Sequence, residues 1–346
     1  MATGAVVGQS GYARFFPGRK RAHRSKGAAA AAAAGIHIKK KKAPLPDADY
    51  DDDDDDLQSP LKKRRLVSKS SISSYGSIHD YECLNRISQG SYGAVYRARH
   101  KTTDEIVAIK KEFGGLCKST LTEINILRSI RHPSIVEYKH VAVDDCDDGI
   151  YVVMEYVEYD LHEYLKRSSF TLPQVKRLMK ELLEGVNHLH QNRVMHRDLK
   201  PSNVLVDAKG KLKICDFGVS RQFPSALDPP CTPHVGTLWY AAPELFLEPH
   251  TYLAAVDMWS VGCIMAEFFL RQVLFKGASE IEQLRIIVTS LEQPHSLLRE
   301  KFAAASEGGV LLSESGFELL SRLLCYSPKE RITAQDALNH EWFCES

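Results

Sequence analysis

The run His196-Arg197-Asp198-Leu199-Lys200-Pro201-Ser202-Asn203 places a carboxylate, an ammonium and an amide within six residues, Asp198 to Asn203. A second carboxylate, Asp216, follows Asp198 by 18 residues and opens the triplet Asp216-Phe217-Gly218. Upstream, Lys110 closes the apolar run Val107-Ala108-Ile109-Lys110. Before it, Ile87-Ser88-Gln89-Gly90-Ser91-Tyr92-Gly93-Ala94-Val95 carries two glycines. Glycine lets a backbone approach a phosphate without interference from Cβ, although the same pattern also makes an ordinary hairpin. A lone strand lysine ordinarily snorkels to solvent, and its loss leaves a fold intact. Together these residues offer an acceptor to orient a hydroxyl, hard oxygen ligands for Mg2+, and cations for phosphate oxygens. That is the inventory phosphoryl transfer requires. Ala242-Pro243-Glu244 completes the ordered set, with Glu244 28 residues after Asp216.

These groups need elements to position them. Tyr81–Ser88 and Ala94–His100 read as β-runs flanking the glycine turn, and Glu105–Lys111 as a third strand. Leu121, Ile124, Leu127 and Ile130 fall at helical spacing. Ile150–Glu155 reads as the next strand. Val175, Leu178, Met179, Leu182, Leu183, Val186 and Leu189 mark one stripe of a long helix. Short strands at Val204–Val206 and Leu212–Cys215 flank the turn Asp207-Ala208-Lys209-Gly210, and beyond Tyr252 the pattern is mainly helical. A strand-rich first third before a helix-rich remainder predicts an α+β chain of two unlike lobes.

The chain has 346 residues, 44% of them apolar and 26% charged, with a formal net charge of +1. That near-neutrality hides a split. Residues 1–78 hold 15 Lys and Arg against 8 Asp and no Glu, a net of +7, and the remainder carries −6. Blocks such as Ala28–Ala34, Lys39–Lys42 and Asp51–Asp56 bury nothing, so 1–78 is expected to be a disordered tail. Within it, Leu61-Lys62-Lys63-Arg64-Arg65-Leu66 fits a nuclear import signal. A merely solvated basic stretch and a transit peptide are the alternatives. No apolar run reaches the ~18 residues of a membrane span, and Met1 to Lys20 lacks the core of a secretory signal. The eight cysteines contain no Cys-x-x-Cys pair, which argues for a reducing compartment rather than a disulfide or zinc scaffold.

With these motifs in this order, Tyr81 to Phe343 resembles the eukaryotic protein kinases. The resemblance implies a bilobal kinase fold over 81–343, with a β-rich N-lobe at 81–155 and an α-rich C-lobe at 160–343. It implies ATP and Mg2+ as cofactors. Lys110 would hold the α- and β-phosphates, paired with Glu123. Asp198 would be the catalytic base, Lys200 would steady the γ-phosphate, and Asn203 and Asp216 would bind Mg2+. Ile87, Ser88, Gln89, Gly90, Ser91, Tyr92, Gly93, Ala94, Val95, Ala108, Glu155, Val157 and Leu205 complete the nucleotide pocket, with Met154 as gatekeeper. His196 would be a packed structural histidine aligned with Leu127, Tyr138 and Phe217. Asp257 would anchor the catalytic loop, and Glu244 would pair with Arg331. Lys200, two residues after Asp198, matches the serine/threonine-specific pattern.

Thr237-Leu238-Trp239-Tyr240 and Ser119-Thr120-Leu121-Thr122-Glu123-Ile124 resemble the cyclin-dependent kinases in particular. That implies Ser/Thr protein substrates, a possible cyclin partner, an activating phosphate on Thr232, and inhibitory phosphates on Ser91 or Tyr92. No membrane and no specific nucleic acid is expected as a partner. The sequence also departs from the family. Ser88 replaces the first lid glycine, Thr122 replaces a phosphate-gripping arginine so that Arg197 and Arg221 remain, and the linker from Lys110 to Glu123 is short. Gly236 and Ala241 replace a valine and an arginine that favour proline after the target, so proline direction is open. The rival reading is a weakly active or degenerate kinase fold serving as a scaffold. Nucleic-acid binding by the basic tail is a third, and predicts affinity that falls steeply with salt.

Overall fold

A computed structural model describes residues 75–89, 93–113, 118–144, 149–167, 169–223, 237–247, 254–291, 297–305 and 311–345. The first lobe is a sheet of β1 (Gly76–Ser77), β2 (Tyr81–Gln89), β3 (Gly93–His100), β4 (Ile106–Glu112), β5 (Tyr138–Val143) and β6 (Ile150–Glu155), with helix α1 (Lys118–Ser129) between β4 and β5. Its strand order is β1-β5-β6-β4-β3-β2. All pairings are antiparallel except β1 with β5. Antiparallel register sets which side chains share a face, because directly opposed residues lie side by side. Lys110 on β4 is opposed by Val95 on β3 and Val152 on β6, and Ala108 by Arg97 and Met154. Lys110, Ala108, Val95 and Met154 therefore occupy one face of the sheet.

The second lobe is built on helices. Strand β7 (Tyr159–Asp160) leads into α2 (Leu161–Arg167) and the long α3 (Leu172–Gln191). The Thr171 N–H donates to the Gln174 side chain at 2.8 Å, closing the start of α3. The stripe from Val175 to Leu189 is buried along the whole helix, as its 3.6-residue period requires. Short strands β8 (Val194–Met195), β9 (Val204–Val206), β10 (Leu212–Ile214) and β11 (Arg221–Gln222) follow, with a 3-10 turn at Pro201–Asn203. They form two small sheets, β10-β9-β7 and β11-β8. Beyond them lie α4 (Glu244–Leu247), α5 (Ala255–Leu270), α6 (Glu280–Leu291), α7 (Leu297–Ala305), α8 (Glu314–Leu323) and α9 (Ala334–Leu338). Helix α5 is buried from Val256 to Leu270 and forms the axis of the lobe. One apolar core joins α1 and β5 to α3, α5 and α8. No helix among the described residues is long and apolar enough to cross a membrane.

Three features differ from the sequence reading. The expected tail of 1–78 ends earlier. Gly76–Ser77 pairs with Ala142 and Val143, and Ile78 is fully buried, so the sheet begins before Tyr81. Ile78 is the apolar anchor there, and the serine-rich stretch in front of it masks the signal. Strand β5 lies between α1 and Ile150, where no strand is expected from sequence, its polar Lys139 and His140 giving Tyr138–Val143 the texture of a loop. Leu121 is exposed on α1 rather than buried with Ile124, Leu127 and Ile130. The phase of α1 is set by Thr120 and Glu123, both 1% exposed, which turn inward in its place.

Candidate active site

Strand β4 and helix α1 bring the first cluster together. The Lys110 ammonium donates to Glu123 Oε2 at 2.7 Å and to Asp216 Oδ1 at 3.0 Å, and Glu112 Oε1 lies 3.4 Å away. Burial alone lowers the Lys110 ammonium, but the charges of Glu123, Asp216 and Glu112 outweigh it and hold the group above the ordinary lysine value. Burial pushes the Glu123 carboxyl up, and Asp216 and Glu112 add to it against the opposing pull of Lys110. Partial burial also raises Asp216, but there the Lys110 charge and hydrogen bond prevail and the carboxyl sits below its usual range.

The second cluster centres on Asp198. Its Oδ2 accepts from Lys200 Nζ at 2.7 Å and Asn203 Nδ2 at 3.0 Å, while Oδ1 accepts the Thr237 N–H at 2.9 Å. The Lys200 ammonium also reaches the Thr237 hydroxyl at 2.7 Å. With both carboxylate oxygens engaged, the Asp198 side chain is held in one rotamer. The loop beneath it is tied to α5, because Asp257 accepts the N–H groups of His196 at 2.9 Å and Arg197 at 2.8 Å. Burial raises Asp257, yet its bond to His190 and the charges and N–H groups around it outweigh that and lower the carboxyl. The fully buried His196 donates its Nε2–H to the Cys215 carbonyl at 2.9 Å, and its ring meets Phe217 edge-on at 5.0 Å. This contact ties the Asp216 triplet to the Asp198 loop. Leu127 and Phe217 lie in the shared core with Tyr138 packed against it.

The remaining nucleotide-pocket residues divide. Val95, Ala108 and Met154 share the Lys110 face, and Leu205 is the half-buried residue of β9 between buried Val204 and Val206. Ile87 is half exposed where β2 shifts register against β3, with Ser88 opposite Val95 and Gln89 opposite Ala94. Ala94 corrects the expectation: it is 1% exposed on the opposite face of β3 from Val95, so only its backbone is available to a ligand. Glu155 and Val157 are expected to meet the nucleotide through their backbone. The Glu155 N–H donates to the Glu137 carbonyl at 3.0 Å and its side chain binds Lys213 at 2.7 Å, leaving the carbonyl as its contribution. Val157 is buried. Gly93 has a structural reason of its own, since a Cβ would lie 2.5 Å from the Lys111 carbonyl. Gly90, Ser91, Tyr92, Thr232, Gly236 and Lys62 to Arg65 lie outside the described residues.

Sequence reasoning missed Glu112, the third carboxylate on Lys110. The signal was its i+2 spacing from Lys110, which puts both on one strand face. It also passed over Thr237 as a partner of Asp198 and Lys200. The expected pair of Glu244 and Arg331 is bidentate, at 2.6 and 3.0 Å, with the Arg331 side chain fully buried.

The residues fit a magnesium-bound nucleotide. The Asp216 carboxylate is 47% exposed beside the 14% exposed Lys110, so a ligand can reach it. Asn203 spends its N–H2 on Asp198, which leaves its amide oxygen as the ligating atom. Carboxylate and amide oxygens are the hard ligands Mg2+ prefers, usually one or two from protein with the rest from phosphates and water.

The protein kinase domain family matches residues 81–343. The chain is 49% identical over 299 residues to cyclin-dependent kinase G-1 of Oryza sativa subsp. indica, covering 78% of this chain and 43% of that protein. It is 45% identical over 304 residues to cyclin-dependent kinase G1 of Arabidopsis thaliana, covering 78% and 50%. It is 41% identical over 320 residues to cyclin-dependent kinase 11B of Rattus norvegicus, covering 83% and 72%. The chain thus spans half or less of the length of the plant relatives it matches. With the ordered motifs, the two converging clusters and these likenesses, the chain belongs to the protein kinase family, on its cyclin-dependent-kinase branch.

Proposed function

We propose that the chain transfers the γ-phosphate of Mg·ATP to serine and threonine hydroxyls of proteins, as a kinase of the cyclin-dependent type. The observation that carries this reading is the Asp198 carboxylate, fixed through both oxygens by Lys200, Asn203 and Thr237. Mg·ATP, when bound, supplies the transferable phosphoryl group and much of the positive charge that stabilises its departure. Asp216 and the Asn203 amide oxygen hold the metal, and Lys110 holds the α- and β-phosphates. Asp198 orients the incoming hydroxyl and accepts its proton, while Lys200 offers charge to the γ-phosphate. Because the donors are already in place, little reorganisation is needed at the moment of transfer.

A cyclin is the proposed partner. The relatives' names support it, and so does the exposure of Leu121 on α1 and of Phe113 just before it. Phosphate on Thr232 is proposed to activate, held by Arg197 and Arg221, and phosphate on Ser91 or Tyr92 to inhibit by like-charge repulsion with the nucleotide. The basic run Lys62 to Arg65 is proposed to direct the chain to the nucleus.

Purified full chain, alone and with a cyclin-class partner, can be given γ-labelled ATP, Mg2+ and a protein acceptor, and the acceptor hydrolysed to its phosphoamino acids. Label on phosphoserine and phosphothreonine is the expected result. Label confined to phosphotyrosine, or none in either arm, overturns the reading.

A further inference from the structure

Lys110 is surrounded by more negative charge than its proposed task requires. Three carboxylates, Glu112, Glu123 and Asp216, lie 3.4, 2.7 and 3.0 Å from its ammonium. Two of them have distinct structural origins. Glu123 rides on α1, a separate helix joined to β4 by a short connection. Glu112 is on β4 itself, two residues from Lys110 and on the same face. Glu112 is also the register partner of Gly93, the last glycine of the lid, so it lies at the end of the cleft assigned to phosphates. Its side chain is 6% exposed, which makes its charge costly to leave without a cation.

We propose that Glu112 is a positioning residue, a second counter-ion that holds Lys110 in the cleft independently of where α1 places Glu123. This rests on the functional reading above and adds a regulatory property to the same site. In a cleft with Glu123 as sole counter-ion, moving α1 removes the partner of Lys110. Here the strand keeps one in reach, so the lysine's placement is loosely coupled to the helix. The arrangement has an electrostatic cost, because Glu112 adds a negative charge beside the position where a triphosphate binds. Burial and charge around Glu123 agree with this crowding, since Glu112 contributes to holding that carboxyl in its raised range.

The test is a double-mutant cycle of the full chain, Glu112→Gln, Glu123→Gln and both together, read by the Kd for ATP from calorimetry and by kcat and KM for transfer. Removing one like charge at short range through a partly screened cleft is expected to tighten ATP binding in Glu112→Gln by about 3- to 10-fold. Glu123→Gln is expected to retain measurable transfer, and adding Glu112→Gln to lower kcat at least ~10-fold beyond the product of the single effects. Unchanged ATP affinity in Glu112→Gln, or single effects that simply multiply, would overturn the proposal. Should Glu112→Gln fail to fold, Glu112→Asp replaces it. That variant keeps the charge but withdraws it from Lys110, and combined with Glu123→Gln it must lower kcat beyond the product of the single effects for the proposal to stand. The calorimetric arm needs no turnover, so a wild-type chain that binds ATP without transferring phosphate counts against the functional reading alone.

Discussion

The backbone N–H of Arg197 donates to the carboxylate of Asp257 at 2.8 Å, across 60 residues of chain. Arg197 needs that support, because its φ of 69° lies in the left-handed region, unfavourable for a residue with a Cβ. The turn it permits aims the next residue, Asp198, at Thr237, Lys200 and Asn203. Asp216 has the same kind of backbone, with φ 63°, and is steadied by its bond to Lys110. Asp198 and Asp216 therefore both depend on left-handed turns held by charged side chains from other elements.

Asp257→Asn keeps the shape but replaces an acceptor of two N–H groups with an amide that offers one acceptor oxygen. The expected loss is about 2–3 kcal/mol of stability, the range for hydrogen bonds to a buried charge. The kcat is expected to fall by about 10²-fold as Asp198 loses its aim. Urea unfolding and steady-state transfer measure the two effects. A variant of unchanged kcat would show that the loop holds its geometry without α5.

The chemistry-bearing residues were legible in the sequence because they sit in short contiguous motifs whose spacing survives any fold. Asp198, Lys200 and Asn203 are such a case. What the sequence could not supply was which neighbours converge from a distance. Glu112 reads as one more charge after Lys110-Lys111; its spacing puts it on the Lys110 face, but only the fold shows it buried, opposite Gly93 in register. Leu121 was misplaced for a similar reason. Apolar spacing alone made it part of the core stripe, whereas the tertiary demand of Lys110 for Glu123 rotates α1 and leaves Leu121 outside. Ala94 likewise belongs to the lid motif in sequence, but strand alternation turns it to the opposite face. The N-terminal edge of the sheet was hidden because a two-residue strand has no periodicity to read.

Lys110 is not the lightly packed strand lysine that its sequence setting suggests. Lys110→Met would leave Glu123, 1% exposed, without the cation that lowers its carboxyl. The Glu123 group is already raised in the folded state. A raised carboxyl contributes stability below its unfolded value, near 4.3, that is lost as pH rises through the folded value. The variant should therefore be destabilised at pH 7 by about 3 kcal/mol and recover part of that on acidification toward pH 5. Thermal melts at the two pH values check this, with loss of ATP binding in calorimetry. A melt that worsens on acidification relative to the wild type would contradict the assignment.

The pair of Glu244 and Arg331 spans 87 residues and locks the segment after Thr237 to the loop before α9. Arg331 also donates to the Ala255 and Cys325 carbonyls at 2.8 and 2.9 Å, and its guanidinium lies 5.2 Å from the Trp259 ring centre. Arg331→Ala strands a carboxylate and several carbonyls, so a loss of about 3–5 kcal/mol is expected. Arg331→Lys should recover little of it, since an ammonium cannot reproduce the bidentate fork. Chemical denaturation reads both. A cost below ~1 kcal/mol would place the pair among exposed ion pairs.

In the proposed function, Asp198 is the proton acceptor for a hydroxyl that attacks a bound triphosphate. Asp198→Asn tests it most directly, with ATP affinity by calorimetry and labelled-phosphate transfer measured on the same preparation. ATP affinity within about threefold of wild type and a kcat lower by about 10²-fold or more are expected. Equal transfer by the two proteins at equal nucleotide occupancy would contradict it.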